Sequence, residues 1–331
     1  MSGKDLFFVI GSNSFSGSSY IRMLLEKGHP VIGVSRSEEP HVALLPHLWA
    51  NTDKYKFYKL DLNHDLDEII ALIELNRPKY IVNYAAQSMV AESWLNPDHW
   101  FMTNAVSTVR LQDQLRKMSF IKRYVHISTP EVYGNTLGEV TEDTQLNPST
   151  PYAVSRAAAD MSLRTFYAAY NMPVVFTRAA NVYGPGQQLY RIIPRTILYI
   201  RTGKTLQLHG GGLSRRSFIH IDDVSEATYS IAINGNNGDV YHISTQDLVS
   251  IRSLVEMICD RLGVAFDKHV EIVGERLGKD DSYHLSSEKL RKELGWRDEK
   301  SLDQGLTEVM SWVDKYIENL ASLPLQYIHK P

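Results

Sequence analysis

The chain has 331 residues, of which 43% are hydrophobic and 22% are charged, and its formal net charge is −3. This length and composition suffice for one large globular domain or two unequal lobes around a buried core. The weak negative charge argues against a nucleic-acid partner, which normally requires a clustered basic surface, and the single cysteine, Cys259, excludes an intramolecular disulfide.

Short apolar runs alternate with longer helical patterns through the first two-thirds of the chain. Alternation of this kind, with strands that are apolar throughout, is typical of a doubly wound parallel sheet. We therefore predict an α/β fold with a Rossmann-type sheet. The predicted strands cover 6–11, 30–35, 56–62, 79–86, 123–129, 173–180 and 240–244, and the predicted helices cover 20–28, 66–76, 98–118, 152–170, 250–262 and 301–319.

The pattern changes after residue 180, where glycine, proline and basic residues become frequent and the strands become short. We predict that 1–180 forms a dinucleotide-binding domain, with a segment near 220–246 returning to it. Residues 181–331 would mainly form a smaller α/β C-terminal lobe. No apolar run approaches the roughly 18 residues of a membrane span, so we expect a cytoplasmic protein without a membrane partner.

A glycine loop, G-S-N-S-F-S-G at residues 11–17, joins the first strand to a helix. Such a junction allows backbone N–H groups to approach a pyrophosphate at the start of the helix. Gly11 would allow the tight turn and Gly17 the close packing of helix on strand, with Ser14 and Phe15 between them. The sequence therefore predicts a dinucleotide-binding loop, and the alternative is a plain glycine turn.

The ends of the second and third strands provide candidate contacts to the adenosine of the dinucleotide. Ser35 and Arg36 end the second strand, where an acidic residue would favour NAD, and they could instead hold a 2′-phosphate. This favours NADP over NAD, although Arg36 could equally be a solvated loop cation. Asp61 and Leu62 end the third strand and could contact the adenine, but an aspartate there is also common as a helix cap.

A tyrosine and an arginine lie one helical turn apart in PYAVSRAAAD, residues 151–160. Tyr152 with an ordinary pKa of about 10 would be a poor base at neutral pH. The Arg156 cation and an oxidised nicotinamide would stabilise the phenolate and lower that pKa, so that Tyr152 could accept a hydroxyl proton. Thr129, at the end of the preceding strand, could orient that hydroxyl. The alternative is a surface cation–π or packing pair.

The chain resembles the extended short-chain dehydrogenases/reductases of the nucleotide-sugar epimerase and dehydratase family, and most of all their 4,6-dehydratases. The resemblance implies a recycled, tightly bound NAD or NADP, a C-terminal lobe that binds a nucleotide diphosphate-sugar, and a homodimer built on residues 98–118 and 152–170. The segments that carry it, in order, are the glycine loop, NYAAQSMVAESWLNP (83–97), HISTPEVYG (126–134), PYAVSRAAAD, RAANVYGPG (178–186), GGGLSRRSFIHIDDV (210–224) and RLGKDDSYHLSSEKLRKELGW (276–296).

The resemblance also implies roles for single residues. Thr129 and Tyr152 match the hydroxyl-binding residue and the base for oxidation at sugar C4, with Arg156 beside the tyrosine. Glu131 matches the base that removes the C5 proton once C4 is a ketone. The remaining matches are cofactor contacts at Ala85, Ala86 and Gln87, and substrate contacts at Ser88, Pro130, Asn181, Arg216 and Arg276. None of the histidines has a metal-ligand spacing, so we predict no catalytic metal.

Four residues depart from the family pattern. Pro130 replaces the acid that protonates the departing C6 hydroxyl in thymidine-sugar dehydratases, and guanosine-sugar dehydratases and uronic-acid decarboxylases have serine there. Arg156 replaces a lysine, Ser14 a loop glycine, and Met89 a histidine. These departures keep three alternatives open: an epimerase acting at C4 or C5, a nucleotide-uronic acid decarboxylase, and a cofactor-binding sensor without turnover.

Overall fold

The computed structural model describes residues 4–136, 138–274 and 284–330. Its strands and helices alternate along the first two-thirds of the chain, as the sequence predicts. The strands are β1 (Phe7–Ile10), β2 (Val31–Ser35), β3 (Tyr55–Lys59), β4 (Tyr80–Asn83), β5 (Arg123–Ile127), β6 (Glu139–Val140), β7 (Val174–Ala179), β8 (Asn181–Tyr183), β9 (Leu206–His209), β10 (Arg215–Arg216), β11 (Phe218–His220), β12 (Val240–Ile243), β13 (Val249–Ser250), β14 (Val270–Val273) and β15 (His284–Leu285).

The helices cover both faces of the main sheet and build the C-terminal part of the chain. A π-helical turn, Met102–Ser107, joins α3 to α4. The helices are α1 (Phe15–Glu26), α2 (Leu66–Asn76), α3 (Pro97–Phe101), α4 (Thr108–Leu115), α5 (Pro151–Tyr170), α6 (Ile192–Arg201), α7 (Ile221–Asn234), α8 (Ile251–Leu262), α9 (Phe266–His269), α10 (Glu288–Leu294), α11 (Leu302–Lys315) and α12 (Ile317–Ser322). None of the described helices combines the length and apolar composition needed to cross a bilayer.

Seven strands form one parallel sheet in the order β12–β7–β5–β4–β1–β2–β3. The chain starts at the centre with β1, moves outward through β2 and β3, and then crosses to β4 on the other side of β1. Open α/β sheets bind ligands at such a switch point, beyond the carboxyl ends of the strands. The predicted Rossmann-type sheet is confirmed, and each of the seven predicted strands contributes to it.

The apolar strands are explained by burial on both faces of the sheet. Phe7 and Val9 of β1 belong to one hydrophobic cluster, whereas Phe8 and Ile10 belong to another. Successive side chains of a strand point to opposite faces, so a strand covered on both sides must be apolar at every position. Helices α1 and α7 contribute to the first cluster, and α2, α4 and α5 contribute to the second.

A third hydrophobic cluster lies mostly in the chain after residue 180 and is built from α6, α8 and α11. The strand β12 returns to the edge of the main sheet, beside β7. The division into a domain at 1–180, with a returning segment near 220–246, and a smaller lobe at 181–331 stays a prediction.

Three helices differ from their predicted extents by more than one residue, and one of them, predicted at 301–319, is divided into α11 and α12. The helix predicted at 20–28 begins at Phe15, because the Ser14 side chain caps its first turn by accepting from the Gly17 N–H at 3.0 Å. The helix predicted at 98–118 is divided into α3, the π-helical turn and α4. Such turns often occur at functional sites, and this one buries Asn104, which bonds to the Gln87 backbone N–H.

Candidate active site

The glycine loop wraps tightly around the start of α1. Gly11 has φ +83°, and a Cβ at this position would lie 2.6 Å from the Ala85 backbone nitrogen. A Cβ at Gly17 would overlap the Gly11 carbonyl oxygen. Ser14, which stands in place of a loop glycine, donates its hydroxyl to that same carbonyl at 2.7 Å. Both glycines are therefore required by close backbone approach, and the serine is accommodated as a helix cap.

A cavity of about 210 Å³ lies over the switch point of the sheet. It contains nine of the residues predicted to bind the cofactor, but Phe15, Gly17, Tyr152 and Arg156 are not among its lining residues. Phe15 instead packs in the core beneath the loop. The cavity is lined by Ile10, Gly11, Asn13, Ser14, Val34, Ser35, Arg36, Ser37, Leu60, Asp61, Leu62, Asn63, Tyr84, Ala85, Ala86, Gln87 and Thr103.

Serine hydroxyls and an asparagine form the end of the cavity next to β2. The Ser35 hydroxyl accepts from the Asn13 backbone N–H at 3.1 Å, and the Asn13 amide donates to the Ser37 carbonyl at 2.9 Å. These bonds tie the loop after β2 to the glycine loop. At the end of β3, the Asp61 side chain accepts from the Asn63 N–H at 2.8 Å, so Asp61 stabilises its own turn as well as lining the cavity.

Asn104 fixes the other wall of the cavity. Its side chain accepts from the Gln87 N–H at 2.8 Å and donates to the Gln87 carbonyl at 3.0 Å and to the Ser155 hydroxyl at 2.9 Å. Ser155 lies one turn after Tyr152 and donates to its carbonyl at 2.7 Å. This fully buried amide thus links the 85–87 loop to the first turn of α5, and hence the cavity wall to Tyr152.

The predicted catalytic loop begins where β5 ends. Thr129 is the N-cap of a 3₁₀ turn, Pro130–Tyr133, in which Pro130 occupies the first helical position. Proline suits that position because its φ is already helical and its missing N–H would have no partner there. The Thr129 hydroxyl donates to Glu131 Oε2. Pro130 therefore favours the turn in which the Thr129 hydroxyl and the Glu131 carboxylate meet.

Tyr152 lies beside Thr129 and Glu131 and is only 8% exposed. Burial and the Glu131 charge raise its pKa to about 12, whereas Arg156, a hydrogen bond with Thr129 and Arg191 act to lower it. The sequence predicted a lowered pKa, but that prediction included the positive nicotinamide. In the protein alone, loss of hydration outweighs the cations.

Arg156 occupies the turn of α5 that follows Tyr152 and is buried. Its guanidinium donates to the Ile127 carbonyl at the end of β5. Its Nε is also buried and has no hydrogen-bond partner among the described residues. A buried cation with a remaining donor near Tyr152 suits the polar ribose or amide of a nicotinamide.

The remaining predicted substrate residues are distributed between two regions. Asn181 in β8 donates its amide to the Ser217 carbonyl at 3.3 Å, which brings it near Arg216 in β10. Ser88 is exposed just beyond the cavity wall. Arg276 lies outside the described residues. The structure therefore places Asn181 beside the backbone that follows Arg216, and it gives no position for the third predicted diphosphate contact.

An ion pair lies fully buried beneath Thr129. Arg178 in β7 donates to Asp160 of α5 at 2.7 Å and to the Tyr133 hydroxyl, and the Ser128 hydroxyl donates to Asp160 at 2.7 Å. Both charged side chains are 0% exposed. Although burial opposes ionisation, Arg178 and His126 keep the pKa of Asp160 below its usual value. This network joins α5 to Ser128 and Tyr133, which lie on either side of Thr129 and Glu131 in the chain.

Replacing Asp160 with asparagine should destabilise the fold by about 3–5 kcal/mol, because it leaves the buried Arg178 without a counter-charge. The measurement is urea unfolding followed by circular dichroism. The control is Asp314→Asn, which breaks an exposed 2.8 Å pair with Arg201 and should cost less than about 1 kcal/mol. Similar losses in the two variants would show that the buried pair has no special structural role.

The structure also reveals site residues that sequence reasoning missed. They include Asn13, Ser37, Asn63 and Thr103 in the cavity wall, Asn104 behind it, and Arg191 near Tyr152. Asp160 was also missed, although the sequence contains an indication of it. Tyr152, Arg156 and Asp160 follow one another at four-residue spacing and therefore lie on one helix face. The others depend on contacts between distant parts of the chain.

His220, Asp222 and Glu308 are the residues in the described chain that lie close enough together to hold a metal ion. Each carboxylate already has a cation, since Arg22 pairs with Asp222 and Lys300 with Glu308. His220 caps α7 by accepting from the Asp222 N–H. Helix capping and ion pairing explain this cluster without a metal.

The cavity and its surroundings fit a nicotinamide dinucleotide. The glycine loop requires close backbone approach, as a pyrophosphate site does, and the loop leads directly into a helix N-terminus. Serine hydroxyls and Arg36 lie at the ribose end, and the Arg156 donor lies beside Tyr152. Ala85, Ala86 and Gln87 form the wall between these two ends.

Comparison with known proteins gives one family model and many similar chains. The model described as GDP-mannose 4,6 dehydratase matches residues 8–309. A trifunctional UDP-glucose 4,6-dehydratase/UDP-4-keto-6-deoxy-D-glucose 3,5-epimerase/UDP-4-keto-L-rhamnose-reductase of Arabidopsis thaliana is 32% identical over 266 residues, which cover 79% of this chain. This chain spans only 40% of the length of that relative.

Two solved structures superpose over nearly the whole chain. DesIV, a dTDP-glucose 4,6-dehydratase from Streptomyces venezuelae with NAD and TYD bound, has a TM-score of 0.86 and 30% identity and covers 94% of this chain and 97% of its own. A UDP-glucose 4-epimerase from Thermotoga maritima with UDP-glucose has a TM-score of 0.86 and 26% identity, with coverage of 94% and 99%. The fold is therefore shared by enzymes of both reaction types.

Proposed function

Because this chain belongs to the extended short-chain dehydrogenase/reductase family of nucleotide-sugar dehydratases and epimerases, we propose that it is a nucleotide-sugar 4,6-dehydratase. The observation that carries the proposal is the hydrogen-bonded set Tyr152–Thr129–Glu131. A carboxylate held beside the oxidation base by a shared hydroxyl can remove a proton from the carbon next to the one that is oxidised. Oxidation at C4 alone would not need the Glu131 carboxylate.

The first half of the reaction is oxidation at C4. Tyr152, as phenolate, accepts the proton of the C4 hydroxyl, and Thr129 orients that hydroxyl by hydrogen bonding. Arg156 and Arg191 favour the phenolate through their positive charges. A nicotinamide held beside Tyr152 and Arg156 would supply the hydride acceptor for C4 and the hydride donor for C6.

The second half of the reaction is elimination across C5 and C6. The 4-keto group acidifies the C5 proton, and Glu131 removes it. Pro130 has no donor, so we propose that protonated Glu131 gives this proton to the C6 hydroxyl, which leaves as water. The proton held by Tyr152 then passes through Thr129 and Glu131 back to C5. Two protons are removed and two are returned, so the reaction balances without an acid at position 130.

The substrate is a nucleotide diphosphate-sugar, and we propose that Asn181, Arg216 and Arg276 bind its nucleotide diphosphate. An amide donor and guanidinium groups suit this role, because a diphosphate has many acceptor oxygens and arginine can bind two of them at once. Ser88 and Pro130 would line the sugar end. The position of Asn181 beside the segment that contains Arg216 supports the assignment.

The cofactor is a nicotinamide dinucleotide, and we propose that it is NADP and that it stays bound between cycles. DesIV has NAD bound, so the dinucleotide itself follows from the family, whereas the choice of NADP depends on this chain's own residues. Ser35, Arg36 and Ser37 line the ribose end of the cavity. Two hydroxyls and a cation are suited to a 2′-phosphate.

We also propose a homodimer built on the α3–α4 and α5 segments. Met102, Val106, Val154 and Met161 are all more than a third exposed on these segments, although they are apolar. Apolar side chains grouped on neighbouring helices are typical of an interface with another chain. The cytoplasmic location expected from the sequence stays a prediction.

The second candidate is a nucleotide-sugar epimerase, and the similarity to the Thermotoga maritima 4-epimerase favours it. The two reactions, and also uronic-acid decarboxylation, can be separated by incubating the protein with a panel of nucleotide hexoses and uronic acids in deuterated water. Mass spectrometry and NMR should show loss of water with deuterium at C5. An isomer of unchanged mass in ordinary water would contradict the dehydratase, loss of carbon dioxide would identify a decarboxylase, and binding without product would identify a sensor.

A further inference from the structure

Residues 323–330, which we name the closing segment, return from α12 to the cofactor cavity. Tyr327 packs edge-on against Tyr190, with ring centroids 5.7 Å apart, and its hydroxyl lies 3.4 Å from Gln87 Oε1. His329 stacks on Trp100 at 5.0 Å and shares a 2.8 Å hydrogen bond with His99. The closing segment is therefore fixed to both lobes of the protein by rings and side-chain hydrogen bonds.

Lys330 of the closing segment reaches both rims of the cavity. Its carbonyl accepts from the buried Gln87 amide at 2.7 Å, and its ammonium group donates to the Ser37 hydroxyl at 3.2 Å. Gln87 and Ser37 are both cavity-lining residues, from the loops that follow β4 and β2. Lys330 thus bridges the mouth of the cavity and places a positive charge at its ribose end.

Two basic residues lie at this end of the cavity: Arg36 is a lining residue, and the Lys330 ammonium group bonds to the lining residue Ser37. The acidic residue Asp61 also lines the cavity, and its side chain accepts from the Asn63 backbone N–H at 2.8 Å. The acidic residues that follow Arg36 have other partners, since Glu38 pairs with Lys59 and Glu39 with His47, each at 2.9 Å. Neither glutamate lines the cavity.

We propose that Lys330 is a cofactor-binding residue that, together with Arg36, Ser35 and Ser37, holds the 2′-phosphate of NADP. A phosphate monoester carries close to two negative charges and three acceptor oxygens, which match two cations and two hydroxyls. This inference rests on the proposed NADP preference and names the residue that completes the site. It also gives the closing segment a role, because the segment positions Lys330.

The proposal is tested by titrating the full chain, freed of dinucleotide, with NADPH and with NADH and following the fluorescence of the reduced nicotinamide. Lys330→Ala should weaken NADPH binding by only about fivefold, because water screens this exposed ammonium group, and should leave NADH binding unchanged. Lys330→Arg should retain most of the preference. Lys54→Ala is the matched control, since this exposed lysine also makes one hydrogen bond, at 3.1 Å, but to Gly28 at the opposite end of β2.

His329→Ala tests the positioning role of the closing segment. It should reduce the NADPH preference in the same direction. The double variant with Lys330→Ala should lose no more than Lys330→Ala alone, because the His329 change acts only through the position of the Lys330 charge. Equal weakening of both dinucleotides by Lys330→Ala, or no change in their ratio, would overturn the proposal. Neither binding result depends on turnover. Failure of the Lys330 proposal is therefore distinct from failure of the dehydratase proposal, which would appear as the absence of a dehydrated product.

Discussion

Replacing Tyr152 with phenylalanine should lower the rate of C4 oxidation by about 10²–10⁴-fold, because the variant has no group to accept the C4 hydroxyl proton. The ring should stay in place, since Tyr152 lies in the capped first turn of α5 and is almost fully buried. Single-turnover formation of reduced nicotinamide, followed by its absorbance, measures this step directly. The thermal unfolding midpoint should change little.

Tyr170→Phe is the matched control for this change. Tyr170 ends the same helix but is 55% exposed, so the loss of its hydroxyl should affect neither rate nor stability. In the wild type the rate should rise with pH, since the phenolate is the active form and burial opposes its formation. A Tyr152→Phe variant that kept most of the wild-type rate would exclude Tyr152 as the base.

The main sheet was predictable because the apolar character of each strand can be read from a few consecutive residues. A strand covered on both faces is apolar at most of its positions, and β1 (FFVI) shows this directly in the sequence. The π-helical turn was not predictable, because a shift in backbone hydrogen bonding over six residues leaves the apolar spacing nearly unchanged. That turn buries Asn104, so a residue that fixes the cavity wall was also missed.

Contacts within one short stretch were predictable, as between Thr129 and Glu131, whereas the roles of these two residues stay predictions. Contacts that join distant segments were not predictable, as with Lys330 and Ser37, which are 293 positions apart. The pKa of Tyr152 was also not predictable from the sequence. A sequence reveals that Arg156 is one turn away, but only the structure reveals that burial and Glu131 outweigh it in the protein without nicotinamide.

Replacing Glu131 with glutamine should separate the two halves of the reaction. Glutamine has nearly the same shape, and its carbonyl can still accept from the Thr129 hydroxyl, so C4 oxidation should stay within a few-fold of wild type. Loss of water should fall by about 10²–10⁴-fold, because the amide cannot take the C5 proton. Reduced nicotinamide should therefore accumulate, and NMR in deuterated water should show no deuterium at C5.

Glu139→Gln is the control for this variant, since Glu139 is an exposed carboxylate a short distance further along the chain and should not affect either step.

The combination of Glu131→Gln with Pro130→Asp tests whether one carboxylate serves both proton transfers. An aspartate at position 130 can supply a proton to the C6 hydroxyl but does not replace the base at C5. The double variant Glu131→Gln with Pro130→Asp should therefore remain blocked after C4 oxidation. If it regained dehydration, or if Glu131→Gln alone still exchanged the C5 proton, the base would have to be another residue, and the Tyr152–Thr129–Glu131 proton path would be wrong.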